Sequence, residues 1–179
     1  HEPCTGTLLS ADVRLTAAQC VFNLTPAHGL LFPLGAGQTA HVTDIRSHPG
    51  FDTVDGLNLA FDIALVGLDG ADVAAWGSVM PAGSATTAPA AGTAATVVGF
   101  GESADGVGRG QRRSGTVAMS QYIGGEGPIG VLIPDAFIET VGVGAFNQYL
   151  CPGDAGGPLL DQGRVAGVAS FRFEATCNA

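Results

Sequence analysis

The chain has 179 residues, and its sixteen acidic and seven basic side chains give a formal net charge of −9 at pH 7. This acidic balance disfavours binding to nucleic acids and to anionic membrane surfaces. No run approaches the roughly 20 apolar residues that a membrane-spanning helix needs, so we also expect no membrane insertion. Twenty-eight glycines, ten prolines and short runs rich in Thr and Val predict an all-β protein of brief strands joined by turns.

The N-terminal part of the chain contains four segments with distinctive sequences. The first is Cys4-Thr-Gly-Thr-Leu-Leu-Ser10, and the second is Leu15-Thr-Ala-Ala-Gln-Cys20. Residues 40–46 have the composition of a strand, and Phe61-Asp-Ile-Ala-Leu-Val66 places one acidic residue before an apolar run.

The C-terminal part begins after a change of composition. Residues 81–94 carry little charge and are rich in Ala, Pro, Gly, Ser and Thr, which is typical of a semi-extended linker. Strands are predicted at residues 95–99 and 163–170. Between them, Cys151-Pro-Gly-Asp-Ala-Gly-Gly-Pro158 contains the glycines that a tight backbone turn requires.

In their order along the chain, these motifs resemble those of the trypsin-like serine peptidases of the chymotrypsin fold. That family carries its general base in Leu-Thr-Ala-Ala-His-Cys, its orienting acid in Asp-Ile-Ala-Leu and its nucleophile in Gly-Asp-Ser-Gly-Gly-Pro. The present chain has Gln19 at the base position, Asp62 at the acid position and Ala155 at the nucleophile position. Three further segments match the family: His48-Pro49-Gly-Phe51, Val97-Val-Gly-Phe-Gly101 and Gly167-Val-Ala-Ser-Phe171.

The resemblance implies a fold of two six-stranded antiparallel Greek-key barrels. We place the N-terminal barrel at residues 1–80, the interbarrel linker at 81–94 and the C-terminal barrel at 95–179. The family has about twenty more residues on each side of this region. Each barrel is therefore expected either to be completed by other chain segments or to lack a strand, because an open barrel edge is normally covered.

The four cysteines form an even set, and the resemblance implies the disulfides Cys4–Cys20 and Cys151–Cys177. A metal site is the alternative, but the sequence has no Cys-x-x-Cys motif or Cys/His cluster, so we expect neither a metal nor a cofactor. Disulfides persist in oxidising compartments, which predicts a secreted or periplasmic protein.

The nucleophile loop is also expected to supply an oxyanion hole from the N–H groups of Gly153 and Ala155. In the family, the acid at position 154 pairs with an amino terminus released by activation cleavage. The sequence does not start with the family's Ile-Val-Gly-Gly terminus, and Arg112 or Arg113 is the alternative partner. A carboxylate at this position must lie beside a cation, accept several backbone N–H bonds or sit in solvent, because a buried charge needs a partner. Of these settings, we expect Asp154 to point outward or to adopt a zymogen-like setting with a distorted loop.

The primary pocket is predicted to be narrow. The resemblance places Tyr149 at its base, next to Leu150, while Ser170 and Phe171 border it and Arg172 stands at its mouth, where a glycine is usual. A large aromatic residue at the base and a guanidinium at the mouth favour occlusion. A re-routed pocket wall is the alternative.

These residues lead to three hypotheses about function. Glutamine cannot accept a proton near neutral pH and alanine has no hydroxyl, so the first is an inactive secreted homologue that binds a protein or peptide in the former substrate cleft or acts as a scaffold. The second is an active secreted endopeptidase represented by an inactivated variant. The third is a structural subunit of a larger assembly.

Overall fold

The structure, a computed structural model, describes residues 3–26, 31–35, 38–51, 61–69, 90–126, 132–143, 150–172 and 177. In this part of the chain, two antiparallel sheets of five strands each are present. This confirms the predicted all-β architecture with two antiparallel barrels, and the described residues supply five strands to each, where six were expected.

The first sheet has the strand order β1-β2-β5-β4-β3. Its strands are β1 (Thr7–Leu8), β2 (Val13–Thr16), β3 (Leu31–Gly35), β4 (Gln38–Ser47) and β5 (Ala64–Leu68). The central strand β5 alternates buried Ala64, Val66 and Leu68 with an exposed Leu65, as expected for a strand with one face against a core. This alternation directs one face of β5 into the first core cluster, which also contains Ala18, Val21, Ala40 and Val42.

The second sheet has the strand order β10-β9-β6-β7-β8. Its strands are β6 (Ala94–Gly99), β7 (Arg113–Glu126), β8 (Leu132–Gly142), β9 (Pro158–Asp161) and β10 (Arg164–Val168). Its core cluster consists of Ala95, Val117, Met119 and Leu159. The long strands β7 and β8 were not foreseen, because the glycines of β7 and two register shifts in the β7–β8 pairing interrupt the alternating pattern.

Two sequence predictions about organisation stay predictions. Most of the expected linker, residues 81–89, lies outside the described residues, so the division of the chain into residues 1–80 and 95–179 is untested. The completion of the barrels by other chain segments is untested as well. Ile63, just before β5, and Leu65 in β5 are exposed apolar residues, at 38% and 41% relative exposure.

Both predicted disulfides, Cys4–Cys20 and Cys151–Cys177, are present and are confirmed. The first links the segment before β1 to the 3-10 helix Ala18–Cys20, which follows β2. The second joins the loop before β9 to Cys177, which is fully buried. Each bridge therefore holds a loop that contains one of the predicted site residues, Gln19 or Ala155.

Candidate functional site between the two sheets

Gln19 is held by three hydrogen bonds at the base position. Its backbone N–H donates to Asp62 Oδ1 at 2.8 Å, and its side-chain Nε2 donates to Asp62 Oδ2 at 2.6 Å. The same Nε2 donates to the backbone oxygen of Ser170 at 2.8 Å. The structure thus brings Gln19 and Asp62 together, as the motifs predicted, with the amide nitrogen where a histidine would donate its N–H to the acid.

Asp62 accepts hydrogen bonds from two separate parts of the chain. It is buried at 6% exposure, and Ser170 Oγ donates to its Oδ2 at 2.6 Å, in addition to the two bonds from Gln19. An ionised carboxylate can accept all of these bonds. Ser170 was predicted only as a pocket residue; its hydroxyl has a second role that the sequence did not show.

The backbone just before Asp62 is strained, and a stacked ring supports it. Phe61 has φ of 54°, in the left-handed region that aromatic residues seldom adopt. Its ring stacks on the imidazole of His48 with a centroid distance of 4.7 Å. The backbone N–H of His48 donates to the backbone oxygen of Ile63 at 2.9 Å. The turn of the predicted His48-Pro49-Gly-Phe51 motif therefore supports the bend that presents Asp62 to Gln19.

The nucleophile loop consists of two consecutive turns. Asp154 N–H donates to the oxygen of Cys151 at 3.0 Å, and Gly157 N–H donates to the oxygen of Asp154 at 2.9 Å. The third residues of these turns, Gly153 and Gly156, have φ of 98° and 86°. A positive φ at the third residue is the mark of a type II turn, and glycine there, with proline favoured in second place, suits this backbone.

The two turns leave donors of the loop available. Asp154 N–H and Gly157 N–H close the turns, and Gly156 N–H donates to the oxygen of Ala169 at 2.7 Å. Within the part of the chain that the structure describes, neither Gly153 N–H nor Ala155 N–H donates to any group. These are the two donors from which the sequence predicts an oxyanion hole.

Asp154 does not point outward as expected. Its Oδ1 accepts from Gly101 N–H and its Oδ2 from Cys151 N–H, both at 2.8 Å. Its carboxylate occupies space above the glycines of the Val97–Gly101 motif, where a Cβ at Gly99 would overlap it and one at Gly101 would lie 2.6 Å from Oδ1. Two backbone N–H groups thus donate hydrogen bonds to the half-buried carboxylate of Asp154. No sequence motif indicates which backbone groups these are.

Neither arginine proposed as a partner bonds to Asp154. The guanidinium of Arg113 donates to the backbone oxygens of Gly108 at 2.5 Å and of Gly101 at 3.3 Å. Gly101 therefore connects the two groups, since its N–H binds Asp154 while its carbonyl binds Arg113. Arg112 is exposed on the same loop.

Thr5 fastens the nucleophile loop to the first sheet. Thr5 is buried, at 1% exposure. Its hydroxyl donates to the backbone oxygen of Gly153 at 2.8 Å and accepts from the backbone N–H of Phe100 at 3.1 Å. Its backbone N–H donates to the oxygen of Ala155 at 2.8 Å. The sequence analysis did not identify Thr5, because its partners are up to 148 residues away along the chain.

Replacing Thr5 by valine is expected to lower the free energy of unfolding by about 1–3 kcal/mol. Valine has nearly the same shape but leaves the buried Gly153 oxygen and the Phe100 N–H without their hydroxyl partner. Urea unfolding measures the change. Ser10→Ala is the control, since its exposed hydroxyl bonds only to Asp12 among the described residues, and an equal loss in both variants would contradict the anchoring role.

The predicted pocket residues are only partly described. Tyr149 lies outside the described residues, whereas Leu150, Ser170, Phe171 and Arg172 are half-buried. Phe171 packs edge-to-face on Phe137 of β8 at 5.4 Å between ring centroids. Occlusion of the pocket stays a prediction.

Next to the pocket wall, Glu102 organises the loop after β6. It is buried at 8% exposure, with Oε2 accepting from Gly106 N–H at 2.9 Å and Oε1 accepting from Arg109 Nε at 2.7 Å. The Gly106 N–H contributes most to lowering the pKa of Glu102 below its ordinary value, Arg109 lowers it further, and Arg172 adds a smaller electrostatic effect, while burial acts in the opposite direction.

Glu102→Gln is expected to be less stable than the wild type at pH 7, with the difference shrinking at low pH. Because the folded-state pKa is depressed, the carboxylate adds stability above its ordinary value of 4.5 and loses it as the pH falls through the lower folded value. Urea unfolding over a descending pH series tests this. Glu139→Gln, whose carboxylate bonds to Gln121 on an exposed strand face, is the control, and an equal pH dependence in both variants would contradict the prediction.

The described residues contain no group of three or more His, Cys, Asp or Glu side chains that could hold a metal ion. In the same residues, no helix is long and apolar enough to cross a membrane.

The fold and the site together define a protein with the architecture of a two-barrel serine peptidase. The family model described as Trypsin matches residues 1–179, and the chain belongs to this family. No curated protein sequence matches it significantly.

Solved structures of the same fold include two proteins that align over nearly the whole chain. A double mutant of human heparin binding protein (CAP37) is 26% identical with a TM-score of 0.74, and the match covers 99% of this chain and 77% of that one. The scabies mite inactivated protease paralogue S-D1 is 21% identical with a TM-score of 0.76, and the match covers 97% of this chain and 78% of that one. The second likeness concerns the fold alone.

Proposed function

We propose that this protein is a catalytically inactive, secreted or periplasmic member of the trypsin family that binds a protein or peptide segment in the former substrate cleft. One observation carries the proposal. Gln19 fills the base position with an amide whose nitrogen donates to Asp62 and Ser170, while Ala155 stands at the nucleophile position. The hydrogen bonding of the site is thus maintained with side chains that cannot perform acyl transfer.

The residual chemistry of such a site is too weak for a peptidase. An amide cannot act as a general base near neutral pH, and Ala155 has no atom that can attack a carbonyl. In a serine peptidase without its triad, the oxyanion hole and binding alone leave roughly 10³–10⁴-fold acceleration over water. Uncatalysed peptide hydrolysis is so slow that this remaining acceleration would not give a useful peptidase.

The backbone of the loop supports a binding role. Two type II turns with glycines at positive φ keep Gly153 N–H and Ala155 N–H free of partners in the described part of the chain, and Thr5 fastens the loop. Donors held in place without a partner suit a ligand that brings its own acceptor. A purely structural subunit would have no need of them.

Charge favours a protein or peptide over a polyanion. One structural relative takes its name from heparin, a sulfated polysaccharide. The present chain carries a net charge of −9, which repels such a ligand at long range. We therefore do not extend heparin binding to this protein. The two disulfides support a location in an oxidising compartment.

Two measurements on the purified protein test the proposal. A broad panel of peptide and ester substrates should show no turnover, and activity that scales with protein through repurification would contradict inactivity. Blocked decapeptides should next be selected for binding from a random display library. Ala155→Leu should weaken the selected peptides at least about tenfold by filling the cleft, whereas Ala90→Leu, at an exposed turn, should not. Equal binding of the selected peptides by both variants would show that they do not bind in the former substrate cleft.

A further inference from the structure

The orientation of the Gln19 amide is fixed by its partners. Asp62 Oδ2 and the Ser170 oxygen both lie within 2.8 Å of one end of the side-chain amide, and both groups are acceptors. Only an NH₂ group can bind them, so this end is the nitrogen, and both of its hydrogens have a partner. The oxygen Oε1 therefore occupies the other branch of the planar amide, away from Asp62 and Ser170.

Oε1 is an acceptor without a donor in the described part of the chain. Gln19 is half-buried rather than enclosed, so a ligand in the cleft can reach this oxygen. The two bonds from Nε2, to Asp62 and to the Ser170 oxygen, restrain the orientation of the side chain. A ligand that donates to Oε1 therefore loses little affinity to the ordering of the side chain.

The loop donors lie beside this acceptor. Cys20, the neighbour of Gln19, places Sγ 3.7 Å from the oxygen of Ala155. On the other side, Gly156 N–H binds the oxygen of Ala169, the neighbour of Ser170. These two contacts bring the loop at Ala155 and Gly156 against the sequence neighbours of Gln19 and Ser170, so the loop donors and the Gln19 side chain belong to one site.

The electrostatics of the floor select between a neutral and an anionic ligand. Asp62 is a buried carboxylate, and Gln19 is neutral where a histidine would be able to carry a positive charge. Within the described residues, the three bonds to Asp62 come from Gln19 and Ser170, which are both uncharged. A carboxylate placed on the loop donors would be repelled by Asp62, whereas a peptide carbonyl would not.

We propose that the cleft floor is a clamp for an uncut internal peptide segment. A backbone carbonyl of the ligand accepts from Gly153 N–H and Ala155 N–H, as in the oxyanion hole of the family. The new element is Gln19 Oε1, which accepts a hydrogen bond from a neighbouring backbone N–H of the ligand. The inference rests on the proposed function and names the part of the ligand that the site recognises. Gln19 is then a binding residue, selected for its acceptor as well as for its bond to Asp62.

A double-mutant cycle tests the contact with Gln19. One blocked decapeptide selected on the wild type is resynthesised with a single ester in place of each backbone amide in turn, which removes one N–H at a time. One ester position should lower the affinity of the wild type by roughly three- to tenfold, the effect of one hydrogen bond. In Gln19→Met, which keeps the length of the side chain but lacks Oε1, the same ester should change the affinity less than about twofold.

A rescue variant and a truncated ligand complete the experiment. Gln19→His, measured at pH 8.5, above the ordinary histidine pKa of about 6.5, again offers a donor to Asp62 and an acceptor to the ligand, so sensitivity to the ester should return. A peptide truncated to end in a free carboxylate at the clamped carbonyl should bind more weakly than the uncut peptide.

Three results would overturn the clamp. If no ester position distinguishes the wild type from Gln19→Met while Ala155→Leu still weakens binding at least about tenfold, the assignment of Gln19 fails and the proposed function stands. If the truncated carboxylate binds more tightly, the site recognises a chain end. If no peptide binds in the cleft at all, the clamp and the proposed function both fail.

Discussion

The double variant Gln19→His/Ala155→Ser is expected to regain covalent reactivity toward a small organophosphate. Gln19 Nε2 already donates to Asp62 at 2.6 Å, so an imidazole at this position has its orienting acid in place. The turns around Ala155 would present a serine hydroxyl next to that imidazole. Stoichiometric phosphorylation, followed by intact-protein mass spectrometry, is the measurement.

The single variant Ala155→Ser is the matched control for this prediction. It has the nucleophile but keeps Gln19, and the missing general base should slow the reaction by roughly 10²–10⁴-fold relative to the double variant. Equal labelling rates in the two variants would show that the histidine does not reach the serine. A double variant that labels with the organophosphate but rejects peptides would support the predicted occlusion by Tyr149 and Arg172.

Replacing Asp62 by asparagine is expected to lower the free energy of unfolding by about 2–4 kcal/mol. The side chain is buried and accepts from Gln19 N–H, Gln19 Nε2 and Ser170 Oγ. An asparagine can accept at only one of the two oxygen positions and places an NH₂ group against at least one of these donors. Buried donors that lose an ionised acceptor account for a cost of this size.

Asp44→Asn is the control for the change at Asp62, and urea unfolding measures both. Asp44 is exposed and pairs with Arg46 at 2.5 Å, and exposed ion pairs contribute about 0–1 kcal/mol. A loss at Asp62 no larger than that at Asp44 would mean that the hydrogen bonds of the former triad do not stabilise the fold.

The sequence predicted those parts of the site that local motifs encode. The turn residues Pro152, Gly153 and Gly156 specify their own backbone, and the motifs around Gln19 and Asp62 identify two residues that meet in the structure. The disulfides followed from the resemblance because each cysteine stands in a recognisable segment. Local chemistry and family pattern were sufficient for these features.

The remaining features depend on contacts between distant segments. Thr5 binds Gly153 across 148 residues, and Ser170 binds Asp62 across 108. A threonine or serine hydroxyl has no distinctive pattern in a sequence, so neither role was visible. The expectation that Asp154 points outward was wrong for a similar reason. Its partners are the backbone N–H groups of Gly101 and Cys151, and nearly every residue of a chain has such a group.

A crystal structure of the protein with one selected decapeptide tests the central claim most directly. We predict an uncut peptide in the cleft, with one backbone carbonyl oxygen about 2.7–3.1 Å from both Gly153 N and Ala155 N, the distances at which an oxyanion hole binds its oxygen. A neighbouring peptide nitrogen should lie within hydrogen-bonding distance of Gln19 Oε1. A peptide that is cleaved, or one bound elsewhere while these N–H groups remain unoccupied, would contradict the account.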